Sequence, residues 1–447
     1  MQRYAIRALS LAVMLAAGSH ALAADLLQVY QEAKKYDATY AGAEAALRAG
    51  QEKANQARAL WLPQVGLDGN YTHAKTESEG MTAAGTTASG SASGNTYGYT
   101  VQATQPIYRA SSSVGSSQLQ EQARLAEVSF ASARQDLILR VAQAYFDVLY
   151  AQDSLEYVRA QKDAVSQQLA QAKKSFEVGV ATITDTHEAQ AKYDAIVASE
   201  IAALNDLAVK QNAFLQVTGV PGEGLSVLPG KMAAQPPEPA DMNVWLKQAE
   251  QKSLAIDSQR GTLAIAEAEI DRYRLLRQPT LDLVAQYGET WNKNGLAVAR
   301  GANNSSNTSI GVQLNIPIFT GGATSSKLRE SIALRDKAQF DLEATRRSTA
   351  QNTKQAYLGV ESGAAQIKAL EQALVSAQSS LDSTKLGKEV GVRTTLDLLN
   401  AQQQYYSTKR DLAQARYNYL LNQLRLSAAV GNLSERDVES INNKLAR

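Results

Sequence analysis

Apolar residues recur with two different periods along this chain of 447 residues, and each period predicts a different element. Tyr97, Tyr99, Val101, Ala103 and Ile107 alternate with Gly98, Thr100, Gln102 and Thr104. Ile310, Val312, Leu314, Ile316 and Ile318 alternate with Gly311, Gln313 and Asn315. Val65, Leu67 and Tyr71 stand opposite Gln64, Asp68 and Asn70, and Leu281, Leu283, Ala285 and Tyr287 stand opposite Asp282, Gln286 and Gly288. Period two predicts strands with one apolar and one polar face. Their length suits a bilayer-crossing strand of about 9–11 residues. A soluble sandwich presents the same alternation, so both settings stay open on these strands alone. Glu77–Gly94 and Trp291–Asn307, dominated by Gly, Ser, Thr, Asn and Ala, are expected to be solvated loops at hairpin tips.

Elsewhere the period is helical. No proline lies between Pro106 and Pro221 or after Pro317, and both tracts are rich in Ala, Gln, Leu, Lys and Glu. They predict helices over residues 110–177 and 322–387, each on the order of 100 Å long. In Leu137, Val141, Ala144, Val148, Ala151, Leu155 and Val158 the steps alternate between three and four, as a coiled-coil seam requires. The core stripe of an ordinary bundle shows the same steps, but helices of such length have no place in a compact domain. The tracts break at Val178-Gly179-Val180 and Val390-Gly391-Val392, where glycine suits the position that ends a helix. Thr182 with Asp185 and Thr394 with Asp397 then form capping boxes that start returning helices.

These elements occur twice. Leu60-Trp61-Leu62-Pro63 reappears as Leu276-Arg277-Gln278-Pro279, Pro106-Ile107-Tyr108 as Pro317-Ile318-Phe319, and Glu177-Val178-Gly179-Val180 as Glu389-Val390-Gly391-Val392. A repeat this long implies an internally duplicated protomer rather than a solenoid. The first repeat spans 24–218 (helix, two strands, long helix, returning helix) and the second 241–431. A linker at 219–240, with five prolines between Gly219 and Ala240, joins them, and 432–447 is left as a C-terminal tail.

The fold class that follows is an α+β membrane protein with four transmembrane strands per protomer. Four strands cannot close a barrel, and an open apolar sheet cannot sit in lipid with unpaired edges. Several chains must contribute. Three give a 12-stranded trimeric barrel, an even number within the outer-membrane range. Its lining of Gln, Asn, Asp, Thr and Gly would be wet, and the helices would continue it as a coiled-coil periplasmic tunnel.

Composition narrows the setting. Arg3 and Arg7 precede an apolar run from Leu9 to Leu15, and Ala21-Leu22-Ala23 is a small-x-small site, so 1–23 reads as a signal peptide. No later stretch approaches the roughly eighteen apolar residues of a membrane helix. The chain has no cysteine, hence no disulfide framework and no acylation site. Without Arg3 and Arg7 the 45 basic residues fall to 43 against 44 acidic ones, which gives nucleic acid no basic surface. Beyond the signal peptide the histidines are His73 and His187, isolated and without metal-ligand spacing. No nucleophile elbow or phosphate-binding loop occurs. No catalytic residue, metal or cofactor is expected; the protein is not read as an enzyme.

The stretch Val390-Gly391-Val392-Arg393-Thr394-Thr395-Leu396-Asp397-Leu398-Leu399-Asn400, with Arg416-Tyr417-Asn418-Tyr419-Leu420-Leu421-Asn422-Gln423-Leu424 and Ala429-Val430-Gly431, resembles the TolC family of outer-membrane efflux and secretion channels. The resemblance runs over essentially the whole mature chain and is nearer to the type I secretion channels than to the acylated drug-efflux channels. It implies a homotrimer in the outer membrane of a Gram-negative bacterium, closed at its periplasmic end and opened by partners. Those partners would be a periplasmic adaptor (membrane fusion) protein and an inner-membrane ABC or proton-driven transporter, with exported protein or small molecules as cargo. By the same resemblance Arg393 matches an arginine tying the inner hairpin to a neighbouring chain, with Thr184 and Asp185 as its partners. Asp397 matches an acidic entrance ring whose second acid is replaced here by Asn400. The tyrosine expected five positions before the arginine is Lys388. Both aspartates also have a purely structural reading, since an acid in a helix's first turn caps it and complements its dipole. The alternative class, a coiled-coil adhesive or structural surface protein, has no use for paired two-faced strands.

Overall fold

A computed structural model describes residues 24–81, 83–230, 232–293 and 304–445. The signal peptide assigned to 1–23 lies outside them. The order is α1 (Leu26–Tyr36), α2 (Ala38–Ala59), β1 (Gln64–Met81), β2 (Thr87–Arg109), α3 (Ala110–Glu177), α4 (Ile183–Thr218), α5 (Met242–Lys252), α6 (Leu254–Leu275), β3 (Thr280–Lys293), β4 (Asn304–Asn315), α7 (Ala323–Glu389), α8 (Thr395–Ala429) and α9 (Glu435–Asn442). The same succession of two helices, two strands, a long helix and a returning helix therefore occurs twice. The long helices α3 and α7 have 68 and 67 residues. The chain forms two compact units, and each repeat contributes to both.

One unit comprises Ala46–Glu127 and Ser258–Glu343. Its centre is a four-stranded antiparallel sheet in the order β1-β2-β3-β4. Register sets the faces. Val65, Ala103, Ala285 and Ile310 lie in one row, Leu67, Val101, Tyr287 and Thr308 in another, and Leu283 and Leu281 pair with Val312 and Leu314. The other face carries Gly66, Gln102, Gln286 and Ser309, then Asp68, Thr100, Gly288 and Asn307. Neighbouring strands approach closely at Gly98, where an added Cβ would stand 2.6 Å from the Glu289 carbonyl oxygen. Helices of this unit also touch at glycine: a Cβ at Gly50 would collide with Ala126.

Three expectations about the strands need correction. The polar stretches within Glu77–Gly94 are not a loop, because β1 runs to Met81 and β2 restarts at Thr87. Small side chains leave the backbone free to complete the ladder, which propensity alone does not report. Trp291, Asn292 and Lys293 likewise belong to β3 and Asn304–Asn307 to β4; residues 294–303 lie outside the described residues. Ile107 does not extend the apolar face. The register shifts between Pro106 and Tyr108, and Tyr108 stands opposite Leu281 instead. Proline brings no donor to the ladder, and a bulge there reverses the alternation. Ile316 and Ile318 fall beyond β4, which ends at Asn315 before Pro317.

The other unit holds the chain up to Ala45, Val128–Asp257 and the chain from Ala344 onward. Its core is built around Tyr30, Tyr145, Phe214, Tyr419, Leu420 and Ile367. The seam residues Leu137, Val141, Val148, Ala151, Leu155 and Val158 are all buried, with Ala144 partly so. Asp37 ends α1, accepts the Tyr40 N–H at 2.6 Å and takes a two-pronged contact from Arg140 at 2.8 and 3.1 Å. The Arg140 hydrogen bonds hold its carboxyl below the usual range against the opposing effect of burial. Residues 432–445 are no loose tail: Leu433, Val438 and Ile441 are buried on and around α9. The linker also packs, through Leu225, Ser226 and Met232.

Candidate channel wall and periplasmic gate

The apolar face of the sheet changes character along the strands. Val65, Leu67, Ile310, Val312 and Leu314 are exposed in the protomer, between 59 and 75%. Further along the same face come aromatic rings. Tyr97 stacks on Trp291 at 5.4 Å, Tyr99 lies 5.8 Å from Trp291 and 6.3 Å from Tyr287, and the Lys293 ammonium sits 5.5 Å over the Tyr97 ring. Tyr71 pairs with Tyr97 in the same row, and the Tyr287 hydroxyl donates to Glu289 Oε1 at 2.7 Å. At the opposite end Trp61, Tyr108 and Phe319 are exposed. Ten residues of β2 from Tyr108 to Tyr99, tilted as in a barrel, rise roughly 25 Å, the height of the apolar band in outer-membrane barrels. Aromatic rings with polar tips favour the two edges of such a band. This pattern is legible in part: Tyr287 and Trp291 share the parity of Leu281, Leu283 and Ala285, but the polar residues around Trp291 predict a loop where β3 continues.

The polar face carries an ion pair between neighbouring strands. Arg109 makes an ion pair of 2.9 Å with Asp282, whose side chain is 15% exposed. Among the described residues no helix is long and apolar enough to cross a membrane, and no cluster of His, Cys, Asp or Glu suits a metal ion. His73 pairs with Asn95 at 2.7 Å.

In the other unit the turns between long and returning helices carry the second set of candidate residues. Gly179 and Gly391 adopt φ of 75° and 82°, and the Val180 and Val392 N–H groups reach back to Ser175 and Gly387 carbonyls at 2.9 Å. Left-handed backbone at these two positions is why glycine stands there. Both capping boxes form. Thr182 Oγ1 accepts the Asp185 N–H at 3.2 Å while the Thr182 N–H donates to Asp185 Oδ2 at 3.0 Å. Thr394 and Asp397 repeat this at 3.1 and 3.0 Å.

Asp185 and Asp397 thus act first as caps. Hydrogen bonds from the Thr394 N–H and hydroxyl, with a smaller contribution from the Arg393 charge, hold the Asp397 carboxyl below its ordinary value. A depressed native value stabilises above the ordinary carboxyl pKa and is lost as pH falls through the depressed one. Thr184, Arg393 and Asn400 are exposed. Within the protomer Arg393 and Asp185 do not meet: among the described residues Arg393 makes no ion pair, and Asp185 bonds Thr182. The Asp185 charge acts instead on Lys388, in the last turn of α7.

The chain matches the model of the outer membrane efflux protein family over residues 29–220 and 245–432. It is 34% identical over 425 residues to the outer membrane protein TolC of Vibrio cholerae, covering 94% of this chain and 93% of that one. It is 33% identical over 327 residues to the alkaline protease secretion protein AprF of Pseudomonas aeruginosa, covering 72% of this chain and 66% of that one. Its fold is like that of the outer membrane protein VceC from Vibrio cholerae, with a TM-score of 0.74 at 20% identity over 91% of this chain and 96% of the other. The chain belongs to the outer membrane efflux protein family. It is an outer-membrane exit duct, not an enzyme, and it extends from the outer membrane into the periplasm.

Proposed function

We propose that three copies close a 12-stranded barrel, each repeat (24–218 and 241–431) supplying two strands, and that the helices continue it as a coiled periplasmic tunnel. The single observation carrying this is the registered sheet. One of its faces is apolar and the other polar, yet β1 and β4 remain as edges. Lipid tolerates no unpaired ladder, so an edge must find another chain. Because the chain lacks cysteine, single-cysteine variants report cleanly. In intact outer membranes a water-soluble maleimide is expected to label Gln313→Cys and Asp282→Cys but not Val312→Cys or Leu283→Cys. Equal labelling of both sets overturns the barrel.

The duct serves type I protein secretion, multidrug efflux or both, in company with a periplasmic adaptor and an inner-membrane ABC or proton-driven transporter that supplies the energy. Similarity to a protease secretion protein supports protein cargo. At the periplasmic end Arg393 of one chain meets Thr184 and Asp185 of the next, and three copies of Asp397 ring the entrance. Asn400 adds no carboxylate to that ring. Asp397→Asn keeps an acceptor for the Thr394 N–H, so the melting temperature of the trimer should barely move, while block by trivalent cations added on the periplasmic side should weaken. Undiminished block leaves Asp397 a helix cap and nothing more.

A further inference from the structure

Lys388 stands where the structure gives an ammonium little to do. It lies in the last turn of α7, and its Nζ donates to Gln168 Oε1 of α3 at 2.7 Å. No other hydrogen bond or ion pair reaches it among the described residues. The position is half-buried, and burial lowers the amine pKa, opposed by the nearby Asp185 charge. An ammonium has three donors, and one amide carbonyl does not replace the water it loses. The turn does not require the amine: the corresponding position of the first repeat, three residues before its turn glycine, is Phe176. The equivalent hairpin thus forms with an apolar side chain.

We propose that Lys388 is a built-in bias toward opening: closing the periplasmic tip buries its ammonium between α7 and α3, and separating the two hairpins returns it to water. The inference rests on the reading of this tip as the gate and concerns its set point. A lock that must yield to partners from the inner membrane works better when its closed form is only marginally favoured. A charge left half-desolvated in each of three chains narrows that margin. Lys388 is a positioning residue here; cargo need not touch it. Its amide partner is placed on the long helix of the other hairpin, so the strain is felt where the hairpins must part.

The test uses the whole trimer in planar bilayers and in thermal unfolding, with Lys388→Met as the close steric match without charge. Lys388→Met is expected to raise the melting temperature and to lower the open probability of the Arg393→Ser trimer by roughly threefold or more. Lys388→Arg in the same background keeps the charge and should leave the open probability at that of the Arg393→Ser trimer, which a merely structural side chain would not do. A leakier Lys388→Met channel would make the Gln168 contact a bolt and overturn the proposal; so would an unchanged one, which makes Lys388 a solvated charge. The two readings fail separately. If Arg393→Ser raises resting conductance and Lys388→Met leaves it high, the bias alone is refuted. If Arg393→Ser changes nothing, the gate is refuted, and a melting temperature unmoved by Lys388→Met then refutes the strained ammonium as well.

Discussion

Val312→Arg is expected to abolish most of the assembled trimer in outer membranes, whereas Gln313→Arg, one residue away, is expected to leave it intact and alter its conductance. Val312 pairs with Leu283 on the apolar face and is 60% exposed in the protomer, while Gln313 pairs with Asp282 on the polar face. An arginine on the lipid face costs about 2–4 kcal/mol near the bilayer midplane. Each chain repeats the penalty, so a trimer carries it three times over. Heat-modifiable trimer on gels and single-channel conductance read the two outcomes. Equal loss at both positions would remove the assignment of faces.

The second large effect is expected at Arg393. Arg393→Ser should raise resting conductance several-fold without loss of trimer. The side chain is exposed and makes no ion pair among the described residues, yet it follows directly on the Gly391 turn beside the Thr394 cap. A charge-assisted contact to a neighbouring Asp185 is worth about 1.5–3 kcal/mol, and threefold symmetry multiplies it. The single-channel record checks this directly. Conductance equal to wild type would reduce Arg393 to a solvated charge beside a turn. Asp185→Asn should reproduce part of the effect, because the amide keeps the cap to Thr182 while losing the charge.

Much of the fold was legible because each signal was local. Helix period, the absence of proline and two capping boxes fixed α3, α4, α7 and α8 to within a residue or two. Parity alone sorted Leu281, Leu283 and Ala285 from Asp282 and Gln286. What stayed hidden depended on pairing. The charged end of β1 and the Gly-, Ser- and Ala-rich start of β2 have low strand propensity and become strand only because each supplies the other's hydrogen bonds. The bulge after Pro106 was invisible for the same reason, since it is a property of two strands in register. Leu433, Val438 and Ile441 are too few to announce a buried helix, and their burial comes from a core assembled from distant segments. At the gate the capping role of both aspartates followed from spacing. The Lys388 to Gln168 contact did not, because the two residues are 220 positions apart.

The most direct test of the channel is the stoichiometry of the detergent-extracted protein by native mass spectrometry, taken together with its conductance after reconstitution. Three copies per particle, opening a water-filled pore in the Arg393→Ser form, are predicted. A monomeric or dimeric particle, or a trimer that conducts no ions in that form, would contradict a barrel shared among three chains.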